Sequence, residues 1–341
     1  MARKINEENE RIKRRYGVYL RDAKRCDMVT VDRALDAVLK FEASTGFKTF
    51  KRFHIEQASA FKTRLNGQVH SRTGKPLSKA TISGVLRANK AFFVWLAGQQ
   101  GYKSRISYSD AEYFNQNAKD ARVAHAQRET PYPTLAQCRH AFDQMPVGSD
   151  IEKRNKALFA FLMITGARDG AISSLRLKRI DLVEGCVHQD ARDVRTKFSK
   201  TFSTYFLPVD PVYRTCFEAW VAYLRNDLLF GHEDALFPPP QMGRVEGAFA
   251  VTGLNRVPYA NASAIRNAIK EAFVHAGLTP FAPHSFRKTL VRWADGHYPT
   301  REAFKAFSQN IGHESLVTTV TSYLPVSQER QAELIRKGGD A

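Results

Sequence analysis

PHSFRKTL (residues 283–290), QNIGHES (309–315) and TSYLP (321–325) stand in the last third of the chain, and ITGARDGA (164–171) lies upstream of them. Together they set Arg168, His284, Arg287, His313 and Tyr323 in a fixed order, in a chain of 341 residues with formal net charge +18. Arginine binds phosphate oxygens, imidazole takes and returns protons near neutral pH, and a phenol oxygen attacks phosphorus when activated. The conjunction reads as phosphoryl transfer on nucleic acid, with side chains supplying every catalytic group. Singly, each residue has an ordinary reading. Arg168 is a cation just past a helix, His284 and Arg287 are a surface pair at i and i+3, His313 is a turn residue after Gly312, and Tyr323 packs. The order, in a chain this basic, carries the inference.

Composition narrows the class. The length suits two modest domains better than one core. No apolar run approaches the roughly 20 residues of a membrane-spanning helix, and ALFAFLMI (157–164) reads as a buried helix segment. The N-terminus is charged from the start and lacks a signal-peptide core, and Cys26, Cys138, Cys186 and Cys216 show no CxxC spacing. A reducing cytoplasm is therefore expected, with neither a disulfide framework nor a zinc site, and no membrane partner. The surplus of cations points to a polyanion, with nucleic acid as the leading class.

Helical spacing of apolar residues predicts helices over 5–25, 30–44 with Thr30 as N-cap, 54–65, and from Ser78 to about 97. A polar loop, NGQVHSRTGKP (66–76), joins the last two. These helices form a small all-α bundle, the first domain, over residues 1–114. Around the loop and the fourth helix gather His70, Arg72, Lys75, Lys79, Arg87 and Lys90. They read either as a solvated face or as phosphate-neutralising groups that set position without reading bases, and the basic chain favours the second. Residues 115–133 lose periodicity and end in two prolines, which predicts an extended linker. From Thr134 a second, mostly helical domain runs to 341. Its β interlude lies in 187–209, turning near 198–201. Helices are expected over 211–229, 263–276 (capped by Ser263, closed by Gly277) and 327–337, with 230–262 as an irregular connection.

The chain resembles the tyrosine recombinases, the phage-integrase type of site-specific DNA recombinase. The resemblance rests on TGAR (Arg168), TKFSK on the β interlude, HSFR (His284, Arg287), GH (His313) and Tyr323, in the family's order. It extends over essentially the whole chain and implies a fold that is mainly α. A four-helix SAM-like core-binding bundle would precede a mostly helical catalytic domain with a small antiparallel sheet. The family often has glutamate three residues after the first arginine, where this chain has Ala171, read as a structural substitution. His313 and Tyr323 are ten residues apart, one more than the commonest spacing. Lys197 fits the family's Lys-x-x-Lys start and Lys200 the distance to Pro208, with Lys197 favoured.

The resemblance implies cleavage and rejoining of DNA through a 3′-phosphotyrosyl link, without metal, ATP or other cofactor. It implies double-stranded recombination sites as partner, a homodimer on each site, a homotetramer in synapsis, and packing of 327–337 on a neighbouring subunit. A type IB topoisomerase-like enzyme and a silent DNA-binding regulator of the same fold are the alternatives. The start of the chain leaves no expectation of a separate arm-binding domain.

The phenol sets the chemical problem. With a reference pKa of about 10, roughly one tyrosine in a thousand is ionised at pH 7, a deficit of about 4 kcal/mol. His284 is the candidate base, Arg168 and Arg287 the clamps on the non-bridging oxygens, and His313 a donor to the same oxygens. Lys197 or Lys200 is the acid for the leaving 5′-oxygen.

Overall fold

The computed structural model describes residues 5–71, 73–125, 130–245, 247–313 and residue 319. Arg72, Tyr323 and the expected helix over 327–337 lie outside the described residues. The chain divides into two compact units, Met1–Arg128 and Glu129–Ala341.

In the first unit, α1 (Glu7–Val18) starts at Asn6, whose side chain accepts from the Asn9 amide, and Glu7, Glu8 and Glu10 complement the helix dipole. It runs on into a π-helical turn, Tyr19–Ala23. α2 (Met28–Ser44) begins earlier than expected, because the Asp27 carboxylate accepts from the Thr30 amide at 2.6 Å and takes the N-cap role assigned to Thr30. α3 (Ile55–Gly67) and α4 (Lys79–Ala97, capped by Ser78) follow. The loop between them closes through a bridge from Val69 to Pro76, with Gly74 at φ +63°. The core is largely aromatic: the ring of Phe41 meets those of Phe93 at 5.1 Å and Phe61 at 5.4 Å, both edge-on.

One expectation fails here. The stretch read as extended linker contains α5 (Ala118–His125). Polar contacts hold it: the Asn117 side chain accepts from the Asp120 amide, and Lys79 Nζ pairs with Asp120 at 3.0 Å. A helix docked by such contacts leaves little apolar periodicity to read.

The second unit opens with α6 (Leu135–Gln144), which Thr134 and Gln137 close in a capping box. α7 (Asp150–Thr165) is buried from Ala157 to its end, and α8 (Asp169–Ile172) is a single turn. Strands β1 (Ile180–Asp181), β2 (Cys186–Gln189) and β3 (Phe202–Tyr205) form an antiparallel sheet in that order, with Val187 opposite Thr204. Lys197–Ser199 makes a 3-10 turn between β2 and β3. After α9 (Pro211–Asn226) comes a second hairpin, β4 (Pro240–Val245) and β5 (Ala248–Leu254), inside the segment expected to be irregular. Most of its side chains face solvent on both sides, so the inside–outside alternation that marks a half-buried strand is missing. Three helices complete the described part: α10 (Ser263–His275), α11 (Pro283–His297) and α12 (Arg301–Asn310). Ser263 is the first residue of α10 and not its cap, its amide bound by the Asn261 side chain at 2.9 Å. The core joins α7, α9, α10 and α11 through Phe159, Phe161, Phe217, Phe273 and Phe286. The fold is mainly α with small antiparallel sheets. Among the described residues no helix is long and apolar enough to cross a membrane.

α1 is tied to α2 through a buried polar network. Glu42, fully buried, accepts from Lys13 Nζ at 2.5 Å and Asn9 Nδ2 at 2.9 Å, and Asn9 also binds Lys48 O. Removing the carboxylate leaves the buried ammonium with Glu10 alone. Glu42→Ala is expected to cost about 3 kcal/mol, read in urea as a lower midpoint at unchanged slope. A loss below about 1 kcal/mol would show that the network does not hold α1 to α2.

Candidate active site

Three turns converge in the second unit. The first ends α7: Gly166 takes the left-handed conformation, φ +56°, and its amide returns to Leu162 O at 2.8 Å. A Cβ there would also stand 3.1 Å from Leu290. Two residues later Arg168 is the N-cap residue of α8, half-buried. The second turn is the start of α11, where Pro283 occupies the first helical position, His284 follows at the surface, and Arg287 comes one turn later. The third ends α12, where Gly312 at φ +75° sends the chain to buried His313.

Arg287 joins these turns. Its guanidinium, 2% exposed, donates from Nη1 to Gly166 O at 2.5 Å and from Nη2 to Ile311 O at 2.7 Å. Nη2 also meets His313 Nε2 at 2.8 Å. A guanidinium only donates, so this ring nitrogen is the acceptor. The proton of neutral His313 then sits on Nδ1, which donates to Thr319 Oγ1 at 2.6 Å, and Thr319 contacts the Ser308 hydroxyl at 2.6 Å. Nothing in the sequence singles out Thr319; its only signal is a hydroxyl a short step beyond Gly-His.

Both histidines are held below the ordinary imidazole range. At His313 burial is the largest cause, followed by the charges of Arg287 and Arg168, and its pKa falls to about 3. At His284 partial desolvation comes first, then Arg287 and Arg168. Lys197 acts on both rings in the same direction. Arg287, Arg168 and Lys197 thus each bear on both histidines. Lys197, exposed, opens the turn between β2 and β3. Asp169, beside Arg168, is paired with Arg266, and Ala171 is buried in the core. Among the described residues no cluster of His, Cys, Asp or Glu is arranged to hold a metal ion.

The residues singled out for DNA in the first unit are distributed differently. His70 and Lys75 are exposed on the loop before α4, and Arg87 is exposed on α4. Lys79 sits between Asn66 Oδ1 (2.8 Å) and Asp120 Oδ2 (3.0 Å), and Lys90 between Glu112 Oε2 (2.9 Å) and Asn115 Oδ1 (3.1 Å).

The family model described as the phage integrase family matches residues 134–330, more than half of the chain. The chain belongs to the phage integrase family. It is a tyrosine-type site-specific recombinase. Among solved structures, a lambda integrase (75–356) dimer bound to a COC′ core site is 12% identical, covering 92% of this chain and 94% of that one, at a TM-score of 0.63. XerH recombinase bound to a palindromic difH substrate, in a post-cleavage complex, is 17% identical with 92% and 82% covered and a TM-score of 0.59. The Tn1549 transposon integrase in complex with transposon right end DNA is 15% identical with 96% and 99% covered, at 0.53. At these identities the likeness shows a shared fold. No curated protein sequence matches the chain significantly.

Two outcomes follow for the recombinase. The folded pKa of His313, about 3, lies below the reference value of 6.5, so the unfolded chain binds this proton first. The resulting stability is complete above the unfolded value and is lost as pH falls toward 3. Ring 15N shifts should show His313 neutral and protonated on Nδ1 from pH 8 to about 5; a normal imidazole titration near pH 6.5 would contradict the geometry. A Cβ on Gly312 would stand 2.6 Å from Phe202 Cζ, at a φ that disfavours side chains. Gly312→Ala is expected to cost about 2 kcal/mol, measured by chemical unfolding, and an unchanged midpoint would mean that the turn relaxes freely.

Proposed function

We propose that this recombinase cuts and rejoins double-stranded DNA at specific sites through Tyr323. The Tyr323 oxygen attacks the scissile phosphorus, the P–O5′ bond breaks, and a 3′-phosphotyrosyl ester forms. His284 accepts the phenol proton, and the leaving 5′-oxygen receives one from Lys197. Rejoining runs the same steps in reverse with a 5′-hydroxyl as nucleophile. The phosphodiester energy is kept in the ester, so the cycle calls for no ATP. Arg168 and Arg287 neutralise the charge that builds on the non-bridging oxygens, the part a divalent ion plays in other phosphoryl-transfer sites.

The observation that carries this reading is the junction at Arg287, whose guanidinium holds the turn before Arg168 and the turn bearing His313 together, in a chain of this family. A depressed His284 pKa suits a base, since the imidazole is neutral at pH 7. Lys197, which opens the 3-10 turn between β2 and β3, is taken as the acid, with Lys200 three residues on as the alternative. His313 accepts from Arg287 in the DNA-free geometry. It donates to a phosphate oxygen only after exchanging that contact and carrying its proton on Nε2.

In this proposal the first unit grips the duplex with His70, Arg72, Lys75, Lys79, Arg87 and Lys90. Lys79 and Lys90 exchange their carboxylate partners for phosphates. A homodimer occupies each site and two sites pair in a homotetramer, with the segment 327–337 crossing to a neighbour. Related structures bound to core-site, difH and transposon-end DNA support the choice of partner.

The test is trapping on a nicked suicide duplex carrying the native site, taken from the DNA flanking the gene, in the presence of EDTA. A denaturation-resistant protein–DNA adduct is expected with the wild-type chain and not with Tyr323→Phe. Tight binding without any adduct would favour a silent regulator. Relaxation of supercoiled plasmid without partner exchange would favour the topoisomerase-like reading.

A further inference from the structure

Strand β3 begins three residues after the end of the turn that carries Lys197, and one of its edges pairs with β2. Its other edge is bound by a side chain of α12. The carboxamide of Asn310, the last residue of α12, accepts from Tyr205 N at 2.7 Å through Oδ1 and donates to Tyr205 O at 2.9 Å through Nδ2. It thus pairs with the strand as a peptide group of a further strand would. Asn310 O in turn accepts from Thr204 Oγ1 at 2.8 Å, and that hydroxyl, fully buried, accepts from Gln189 Nε2 at 2.9 Å. At the other end of β3, Phe202 lies so close to Gly312 that a Cβ would meet its ring at 2.6 Å. The strand is therefore clamped at both ends to the four-residue run Asn310–His313.

We propose that Asn310 is a positioning residue for the strand-cleavage reaction. It locks β3 to the turn bearing His313, and so fixes where the Lys197 turn delivers its proton. The inference rests on the reading of Lys197 as the acid for the 5′-oxygen. Three hydrogen bonds converge on Asn310 from β3, and they span more than a hundred residues of sequence. The turn is tied on its N-terminal side through Arg195, whose amide donates to Ser174 Oγ at 2.9 Å and whose guanidinium donates to Tyr259 O and Ala260 O, and on its C-terminal side through β3. A turn held through its neighbouring strand places its proton only as well as that strand is placed.

A substrate change separates this role from a structural one. Replacing the scissile 5′-bridging oxygen by sulfur makes the leaving group a thiolate, whose conjugate acid is far stronger than an alcohol. Departure then needs no protonation, and only defects in proton delivery are rescued. Asn310→Ala is expected to slow single-turnover cleavage of the oxygen duplex about 100-fold, to bind that duplex as the wild type does, and to cleave the sulfur duplex within about tenfold of the wild-type rate. Thr204→Val, which keeps the buried volume and severs only the bond to Asn310 O and its Gln189 link, should slow the oxygen duplex by less and likewise be rescued by sulfur. It stands in for Asn310→Ala if that variant does not fold. Slow cleavage of both duplexes, or wild-type rates on both, overturns the proposal. Lys197→Ala and Lys200→Ala run in parallel. If neither is rescued by sulfur, the acid assignment falls; if Lys197→Ala is rescued and the Asn310 and Thr204 variants are not, the positioning role alone falls.

Discussion

The second unit depends on where the guanidinium of Arg287 goes. It is buried, cannot shed its charge, and is bound by the carbonyl oxygens of Gly166 and Ile311 and by the Nε2 of His313. Those groups end α7, end α12 and open the segment beyond it. A planar cation with donors in fixed directions can join three chain segments at once, where a single ammonium offers only a point of attraction. Burying it without such partners would be very costly. The same residue thus supports the fold and supplies charge to the site.

The chemical character of the site follows from that placement. Desolvation and adjacent cations keep His284 and His313 neutral, ready to accept or redirect a proton and adding no charge of their own. Arg168, Arg287 and Lys197 meanwhile gather positive charge around them. In the proposed reaction the scissile phosphate meets a charge pattern complementary to its own, and the charge grows as the phosphorane forms. Preorganised charge of this kind lowers a barrier without rearranging at the moment of reaction.

Much of this was legible in the sequence, and for identifiable reasons. TGAR, HSFR and GH mark a helix end, a helix start and a glycine turn, each with local rules strong enough to be read alone. Pro283 opens α11, Thr134 caps α6 and Ser78 caps α4 as their residue types require. What escaped was long-range or polar. Thr30 lost the cap of α2 to Asp27, a better acceptor a turn away. α5 is docked by the Lys79–Asp120 pair and not by an apolar stripe, and the β4–β5 hairpin is wetted on both faces. The clip of Asn310 on Tyr205 and the Thr319 partner of His313 depend on contacts that no local pattern announces.

The most direct test of the account is the stability of Arg287→Lys beside its single-turnover cleavage rate. The substitution keeps a positive charge but not the planar set of donors. If the guanidinium ties the three turns together, the variant loses both cleavage and a large part of the stability of the second unit, about 3 kcal/mol or more in chemical unfolding. A variant that unfolds like the wild type and fails only in cleavage would contradict the account, leaving Arg287 as a phosphate ligand whose buried contacts hold nothing together.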